Sequence, residues 1–516
     1  MDSIADNAAT FFVDRLAEGA RAGHTAFIEA DGAGRSLTYG ELKRETGRMA
    51  ALLARHDIRR EERVALLLFD TIDFPVAFWG AIRAGVVPVA LNTLLTTPLY
   101  AAILQDCRAR ALFVSAPLLP VVAPLLEGHP FIRHVFVSGG PAPEGMHDLA
   151  AELGAGAPLP TVPASADETA FWLYSSGSTG VPKGVRHVHS APRFTADTYG
   201  AKVLGVQPDD VVFSASKLFF AYGLGNSLSM PMSVGATVVL FSQRPTPQTV
   251  LEVLNAHPVT IFCAVPTLYA ATVAHLEGGA ALPSAPIRRS ISAGEALPAE
   301  IGRRWKALFG TDILDGVGST EMLHIFLSNR PGDVVYGTSG LAVPGYDLRL
   351  VGEHGAPVKP GEVGELAVRG GSSADGYWNR REKSRATFVG DWTWTGDKYE
   401  MTQEGRYVYC GRTDDMFKVS GIWVSPFEVE QALISHEAVL EAAVVPARDP
   451  KGLEKPKAFV VLKNGAGGPG LDKALQEHVK AQIGRWKYPR WIAVVDELPK
   501  TATGKIQRFK LREAVE

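Results

Sequence analysis

Cysteine is scarce. Cys107, Cys263 and Cys410 are the three in 516 residues, and no two of them form a Cys-x-x-Cys pair. That excludes a disulfide scaffold and a thiolate zinc site, and it fits a reducing compartment. An excess of one charge is also missing. The 52 Lys and Arg against 55 Asp and Glu leave a net charge of −3, so nucleic acid meets no basic field. No apolar run reaches the ~20 residues of a membrane helix. The start, Met1-Asp2-Ser3-Ile4-Ala5-Asp6, lacks the basic and apolar regions of a signal peptide. Internal repeats and low-complexity tracts are absent. What remains, 46% hydrophobic and 21% charged residues, is ordinary for a globular chain. The expectation is a soluble, cytoplasmic protein, a monomer or homodimer, with neither a membrane nor a nucleic-acid partner.

The chain reads as an α/β protein. Residues 39–55 place Leu42, Met49, Leu52 and Leu53 at helical spacing. Val64–Phe69, a helix over Phe74–Ala84 and Val86–Leu91 make a βαβ unit, which implies parallel strands. Ala111–Val114 and His134–Val137 extend that sheet, and 139–168, rich in Ala, Gly and Pro, reads as a surface connection. A second helix-wound parallel sheet follows from Val211–Ser214, Ala236–Phe241, Thr260–Val265 and Arg289–Ser292. Its helices are Pro247–Ala256, Pro266–His275 and Pro298–Phe309. From about 340, short strands with Gly-rich turns predict a small antiparallel β subdomain. The last ~100 residues form a separate α+β domain. The expected division is an N-terminal domain over 1–412, a link at 413–415 and a C-terminal domain over 416–516.

The richest stretch is Tyr174-Ser-Ser-Gly-Ser-Thr-Gly-Val-Pro-Lys-Gly-Val185. Glycines let backbone N–H groups converge, hydroxyls add donors and Lys183 adds a cation, which suits a phosphate chain. The spacing is not a Walker motif, and a Gly/Ser-rich stretch can also be a plain flexible loop. Four more stretches carry charge on turns: Asp315-Gly-Val-Gly-Ser-Thr-Glu321, Trp394-Thr-Gly-Asp397, Gly411-Arg-Thr-Asp-Asp415 and Pro499-Lys-Thr-Ala-Thr-Gly-Lys505. Each alone has an ordinary structural explanation as a turn, a local ion pair or a solvated charge.

In this order and spacing the five motifs resemble the ANL adenylate-forming superfamily over nearly the whole chain. Within it the likeness is to the benzoate-CoA ligase branch, through Lys217-Leu-Phe-Phe-Ala-Tyr-Gly-Leu-Gly-Asn226, Ser319-Thr-Glu-Met-Leu-His-Ile-Phe326 and Lys418-Val-Ser-Gly-Ile-Trp-Val-Ser-Pro426. The resemblance implies a two-step reaction. A carboxylate and MgATP give an acyl-adenylate and pyrophosphate; a thiol, here that of coenzyme A, then displaces AMP. It also implies a C-terminal domain that rotates between the steps.

By resemblance, Ser175, Ser176, Gly177, Ser178, Thr179, Gly180 and Lys183 hold the β- and γ-phosphates. Thr320 touches the α-phosphate and Glu321 ligates Mg²⁺. Gly294, Glu295 and Ala296 with Asp315 and Gly316 wall the adenine, while Asp397 and Arg412 take the ribose. Lys505 serves adenylation, Asp414 is the hinge and Gly421 lines the pantetheine tunnel. Lys418, with Lys455 and Lys457, is a basic candidate for coenzyme A. Ala221, Tyr222, Gly223, Leu323, His324 and Ile325 shape an aryl pocket. The alternatives are ligation of a hydroxy- or aminobenzoate, loading of a carrier-protein thiol, a luciferase-like oxidation, or a non-catalytic nucleotide-binding regulator. The last would be expected to have lost Lys505, Glu321 or Asp397.

Overall fold

The computed structural model describes residues 6–175, 182–352, 355–413, 415–419, 422–450, 452–463, 467–500 and 506–513. The chain divides into two compact units, 1–347 with 368–393, and 348–367 with 394–516. The small β segments 348–367 and 394–412 thus group with the C-terminal residues, whereas a cut at 412–416 would put them in the large unit. Among the described residues no helix is long and apolar enough to cross a membrane.

The large unit is built on two sheets. The first runs Gly376–Tyr377, Lys183–Val188, Thr169–Ser175, Val87–Ala90, Arg63–Leu67, Ala111–Ser115, His134–Ser138 and His147–Asp148. Its neighbours are parallel except around Lys183–Val188, which opposes both of its own. The second runs Leu341–Ala342, Ile325–Ser328, Ile313–Gly318, Arg289–Ser292, Ile261–Ala264, Val211–Ser214, Thr237–Leu240, Thr25–Glu29 and Ser36–Thr38. Its centre is parallel and its two ends antiparallel.

Helices Tyr39–Arg55 and Asp73–Arg83 share one core with both sheets, through Met49, Trp79, Phe171, Phe27 and Val238. The first starts at Tyr39 because Thr38 and Glu41 cap each other reciprocally. The second is buried from Phe74 to Arg83, as expected of a helix apolar on every side. The two cross closely at Gly80, where a Cβ would fall 2.4 Å from Met49 Cβ. A larger residue there would force the helices apart. Arg83, at 2% exposure, is neutralised by Asp14 Oδ1 at 2.6 and 2.7 Å.

Two details differ from the sequence expectation. The stretch 139–168 contains a helix, Leu149–Gly154, capped by Asp148 Oδ1 on Ala151 N–H at 2.8 Å. Its one and a half turns are too short to show a helical period. The strand Thr25–Glu29 joins the second sheet through Phe27 and Val238, a pairing with no local sequence mark.

In the second unit, Asp397–Met401 pairs antiparallel with Tyr407–Arg412. A three-stranded sheet follows, Val439–Arg448 against Glu454–Leu462, with Trp491–Val494 parallel to the latter. Helices Pro426–Ile434 and Leu471–Ile483 cover one face through Val429, Leu433, Leu475 and Val479. Leu498 and Leu511 pack on the other. The strands Phe417–Val419 and Ile422–Val424 form a separate hairpin.

Candidate active site

Ser175 and Lys183 face each other as paired residues of antiparallel strands, so the seven residues 176–182 span the end of one hairpin. Of these, Ser176, Gly177, Ser178, Thr179 and Gly180 lie outside the described residues. The pair itself meets the candidate metal carboxylate. Ser175 donates to Glu321 Oε1 at 3.4 Å, and Tyr377 OH donates to the same oxygen at 2.8 Å. Lys183 Nζ lies 3.4 Å from Tyr377 OH and 4.4 Å from its ring centroid. Oε2 of Glu321 accepts no hydrogen bond among the described residues, which leaves one oxygen open to a hard cation. Tyr377 carried no charge pattern that sequence reading could use. Its short strand is fixed on Lys183–Val188 by register with Val185, and the next residue, Trp378, donates its backbone N–H to Gly184 O at 2.8 Å.

Glu321 sits on a tight turn that leaves the strand Ile313–Gly318. Met322 N–H bonds to Ser319 Oγ at 3.1 Å, Leu323 N–H to Thr320 O at 3.2 Å, and Leu323 takes φ +66°. Ala374 N–H on Glu321 O at 2.8 Å and Ser372 Oγ on Met322 O at 2.8 Å clamp the turn from outside. Thr320 therefore directly precedes a carboxylate whose main chain is fixed. The turn lies at the carboxyl end of the second sheet, where open α/β sheets bind ligands.

The same end carries the residues expected near adenine. Gly294 has φ +98° and opens the segment through Glu295 and Ala296 after the strand Arg289–Ser292. Asp315 and Gly316 lie within a strand that runs to Gly318, ahead of the loop that carries Glu321. The Asp315 side chain is 6% exposed and burial pushes its carboxyl up to about 8. Any adenine contact from this residue is therefore left to its main chain. Gly316 makes room for Ile325, whose Cγ2 would lie 2.9 Å from a Cβ there.

His324 is the buried centre of the aromatic region. Its ring lies 5.7 Å from that of Tyr222 and 5.4 Å from that of Tyr199. Nε2 is 3.3 Å from Tyr222 O, an acceptor, so Nε2 carries the proton. Nδ1 is then a bare acceptor, buried and without a partner among the described residues. Burial lowers its pKa to about 3, so the ring is neutral throughout the working range. The unfolded chain binds the extra proton between about pH 3 and its ordinary 6.5. This imidazole's contribution to stability therefore falls as the pH drops through that window. Urea midpoints measured from pH 7 to pH 4 should fall less steeply in His324→Gln than in the unaltered chain.

Tyr222 donates to Ile291 O at 3.0 Å, tying the pocket segment to the second sheet. Gly223 can carry no side chain, because a Cβ would sit 2.1 Å from Lys217 O. Ala221 and Leu323 pack with Leu218, Phe219 and Leu224, so Leu323 supports this segment from within the core. Lys217 has a structural task, donating to Gln243 O at 2.7 Å and to Phe241 O. Two residues were not legible in advance, Tyr199 and Asn226. Each lies on a π-helical stretch, Ala196–Leu204 and Gly225–Ser229, a widening frequent near functional sites. The Asn226 side chain is buried beside Tyr222.

In the second unit, Asp397 and Arg412 are register partners, with Arg412 Nη1 3.0 Å from Asp397 Oδ1. Gly396 at φ +73° admits the guanidinium, since a Cβ would lie 2.9 Å from Nη2. Lys505, Asp414, Gly421 and the side chain of Lys418 lie outside the described residues. The flanks of Lys505 are fixed: Lys500 and Ile506 form a bridge, and Gln507 N–H bonds to Pro499 O at 2.8 Å. Arg508 anchors the following helix by a fork onto buried Glu430, with contacts of 2.7 and 3.0 Å. Burial alone would lower the Arg508 pKa, and the Glu430 carboxylate more than offsets that.

Residues 13–378 match the family of AMP-binding enzymes, and residues 428–505 match the AMP-binding enzyme C-terminal domain. A 4-hydroxybenzoate–CoA/benzoate–CoA ligase of Rhodopseudomonas palustris is 55% identical over 98% of this chain and 94% of its own length. A benzoate–CoA ligase of Thauera aromatica is 54% identical over 98% of this chain and 96% of its own. The crystal structure of a benzoate CoA ligase from Burkholderia xenovorans superposes with a TM-score of 0.88 at 48% identity, covering 99% of this chain and 100% of that one.

Proposed function

The chain belongs to the AMP-binding enzyme family, and from that premise we propose that benzoate is the acid it joins to coenzyme A. It is an ATP-dependent, AMP-forming aryl-CoA ligase. The arrangement that carries this conclusion is one turn, 319–325. It sets Glu321 against the phosphate hairpin and His324 among buried aromatic rings, so that an aryl acid and a nucleotide phosphate can be held side by side.

In the first step a carboxylate oxygen of benzoate attacks the α-phosphorus and pyrophosphate leaves. Residues 175–183 bind the pyrophosphate end, Thr320 the α-phosphate, and Asp397 with Arg412 the ribose. Glu321 would hold Mg²⁺ through its open oxygen, with Tyr377 and Ser175 orienting the other. When bound, Mg²⁺ neutralises the phosphate oxygens. Lys505 places a cation beside the two reacting anions. In the second step the thiol attacks the acyl carbonyl and AMP leaves. The C-terminal module would turn about Asp414 to withdraw Lys505 and bring Gly421 to the tunnel.

Tyr377→Phe tests the carboxylate arrangement. Partners that orient metal ligands are worth about 10–100-fold in metal affinity. The Mg²⁺ concentration for half-maximal pyrophosphate release should rise by about that factor, with the rate at saturating Mg²⁺ much less affected. An unchanged Mg²⁺ requirement would contradict the assignment.

A second reading, a ring hydroxyl accepted beside the unsubstituted ring, is supported by the bare, buried Nδ1 of His324. An apolar ring edge leaves that nitrogen unsatisfied, whereas a hydroxyl can donate to it. Pyrophosphate release over benzoate, its hydroxy and amino derivatives, cinnamate and cyclohexanecarboxylate decides the acid. Benzoate and 4-hydroxybenzoate should lead in kcat/KM. Cyclohexanecarboxylate as good as benzoate would exclude an aryl site, and pyrophosphate release without consumption of coenzyme A would point to a carrier-protein thiol.

A further inference from the structure

At the edge of the first sheet remote from the phosphate hairpin, three histidines converge from three elements. His56 ends the helix Tyr39–Arg55, His134 starts the strand His134–Ser138, and His147 lies on the edge strand His147–Asp148. One nitrogen from each ring lies within 4.8 Å of the others, and all three residues are half-buried. Alternation along the strand puts His134 and Phe136 on one face, and Phe136 stacks on His147 at 5.0 Å, giving the cluster an apolar wall.

Glu152, on the helix Leu149–Gly154, lies behind two of the rings. Its Oε2 is 3.2 Å from His56 Nε2 and its Oε1 3.4 Å from His147 Nδ1. Arg55 also bonds to Oε2, at 3.0 Å, so the carboxylate is already shared and half neutralised. Three imidazoles are the donor set for a borderline divalent ion, and a carboxylate backing the rings is the usual outer partner. Nitrogens bound at about 2.1 Å to one four-coordinate ion stand roughly 3.4 Å apart, inside the 4.8 Å within which these lie. Modest rotation of the half-exposed rings would bring them in.

We propose that His56, His134 and His147 form a site for Zn²⁺ or a similar first-row divalent ion, with Glu152 orienting the rings. The site is separate from the nucleotide centre. Strand His134–Ser138 is four strand spacings from Thr169–Ser175, roughly 20 Å across the sheet. The ion would tie the end of one helix to the sheet edge and the helix beyond it.

The test uses the full-length protein, free of any polyhistidine tag and stripped of metal, with Co²⁺ as probe. One equivalent should bind with the intense visible absorption of a four-coordinate nitrogen site, and Zn²⁺ should abolish the signal and raise Tm. His147→Gln should weaken binding by about 100-fold or more and leave ligase turnover at saturating Mg²⁺ unchanged. Glu321→Gln should keep the Co²⁺ spectrum, which separates this ion from any at the nucleotide site. The proposal falls if the unaltered protein gives no stoichiometric spectrum, or if a His56→Gln/His147→Gln chain binds Co²⁺ equally well. The first of these outcomes is readable even if the variants fail to fold.

Discussion

Lys505→Ala is expected to slow adenylation by a few hundred-fold while leaving the conversion of supplied benzoyl-adenylate and coenzyme A to the thioester close to normal. The benzoate carboxylate and the α-phosphate are both anionic. A group aimed at the charge that develops between them supplies on the order of 3–4 kcal/mol to the transition state, and its loss appears in the rate by that amount. The thioester step breaks a different bond, from acyl carbon to the phosphate oxygen. Pyrophosphate release and single-turnover thioester formation measure the two separately. Gly421→Leu should give the mirror image, because a side chain in the tunnel stops the thiol and spares the first step. Equal losses in both steps for either variant would reject the division of labour.

Gly225→Ala is expected to lower kcat/KM for benzoate by about 100-fold with little change in KM for ATP. The new methyl would fall 2.2 Å from His324 Cδ2 and 2.8 Å from Nε2. No real contact is that short, so the ring must leave the Tyr222 carbonyl or the helix must shift. Overpacking of this kind costs about 1–3 kcal/mol in stability. The loss in the aryl pocket, about 100-fold or roughly 2.7 kcal/mol, is of the same size, because the ring and the pocket wall move together. Initial rates with each substrate varied in turn, beside a thermal melt, separate the two effects. Equal rises in KM for benzoate and ATP would mean that His324 does not shape the acid's pocket.

The parts of this molecule that could be read in advance are those marked by local chemistry. The helix from Tyr39 announces itself by the Thr38–Glu41 capping box, and the buried strands by short apolar runs. The candidate site was legible as five charged turns in a fixed order. Tyr377 was not, because its role comes from a register with Val185 almost 200 residues earlier, and a phenol between glycine and tryptophan looks like any other. Asn226 was hidden for a similar reason. A polar residue inside a helix is usually solvated, and only the packing of Gly225 against His324 puts this one inside. The strand Thr25–Glu29 pairs with residues more than 200 positions on, a long-range choice that no local pattern records. Asp315-Gly-Val-Gly-Ser-Thr-Glu321 reads as the end of a strand followed by a loop, with glycines on both sides of Val317. In the fold those glycines sit in the strand, where Ile325 and the His324 carbonyl approach too closely for side chains.

The pairing of Ser175 with Lys183 sets the register of the strand that carries the lysine. Side chains alternate along Lys183–Val188, so a slip of that strand by one position would turn each of them to the other face. Val185, now fully buried, would exchange faces with its neighbours, and Lys183 would turn away from Tyr377. The next strand out, Gly376–Tyr377, is registered on the same residues, so Tyr377 could no longer address Glu321. A one-residue slip would therefore disturb Glu321 as much as Lys183.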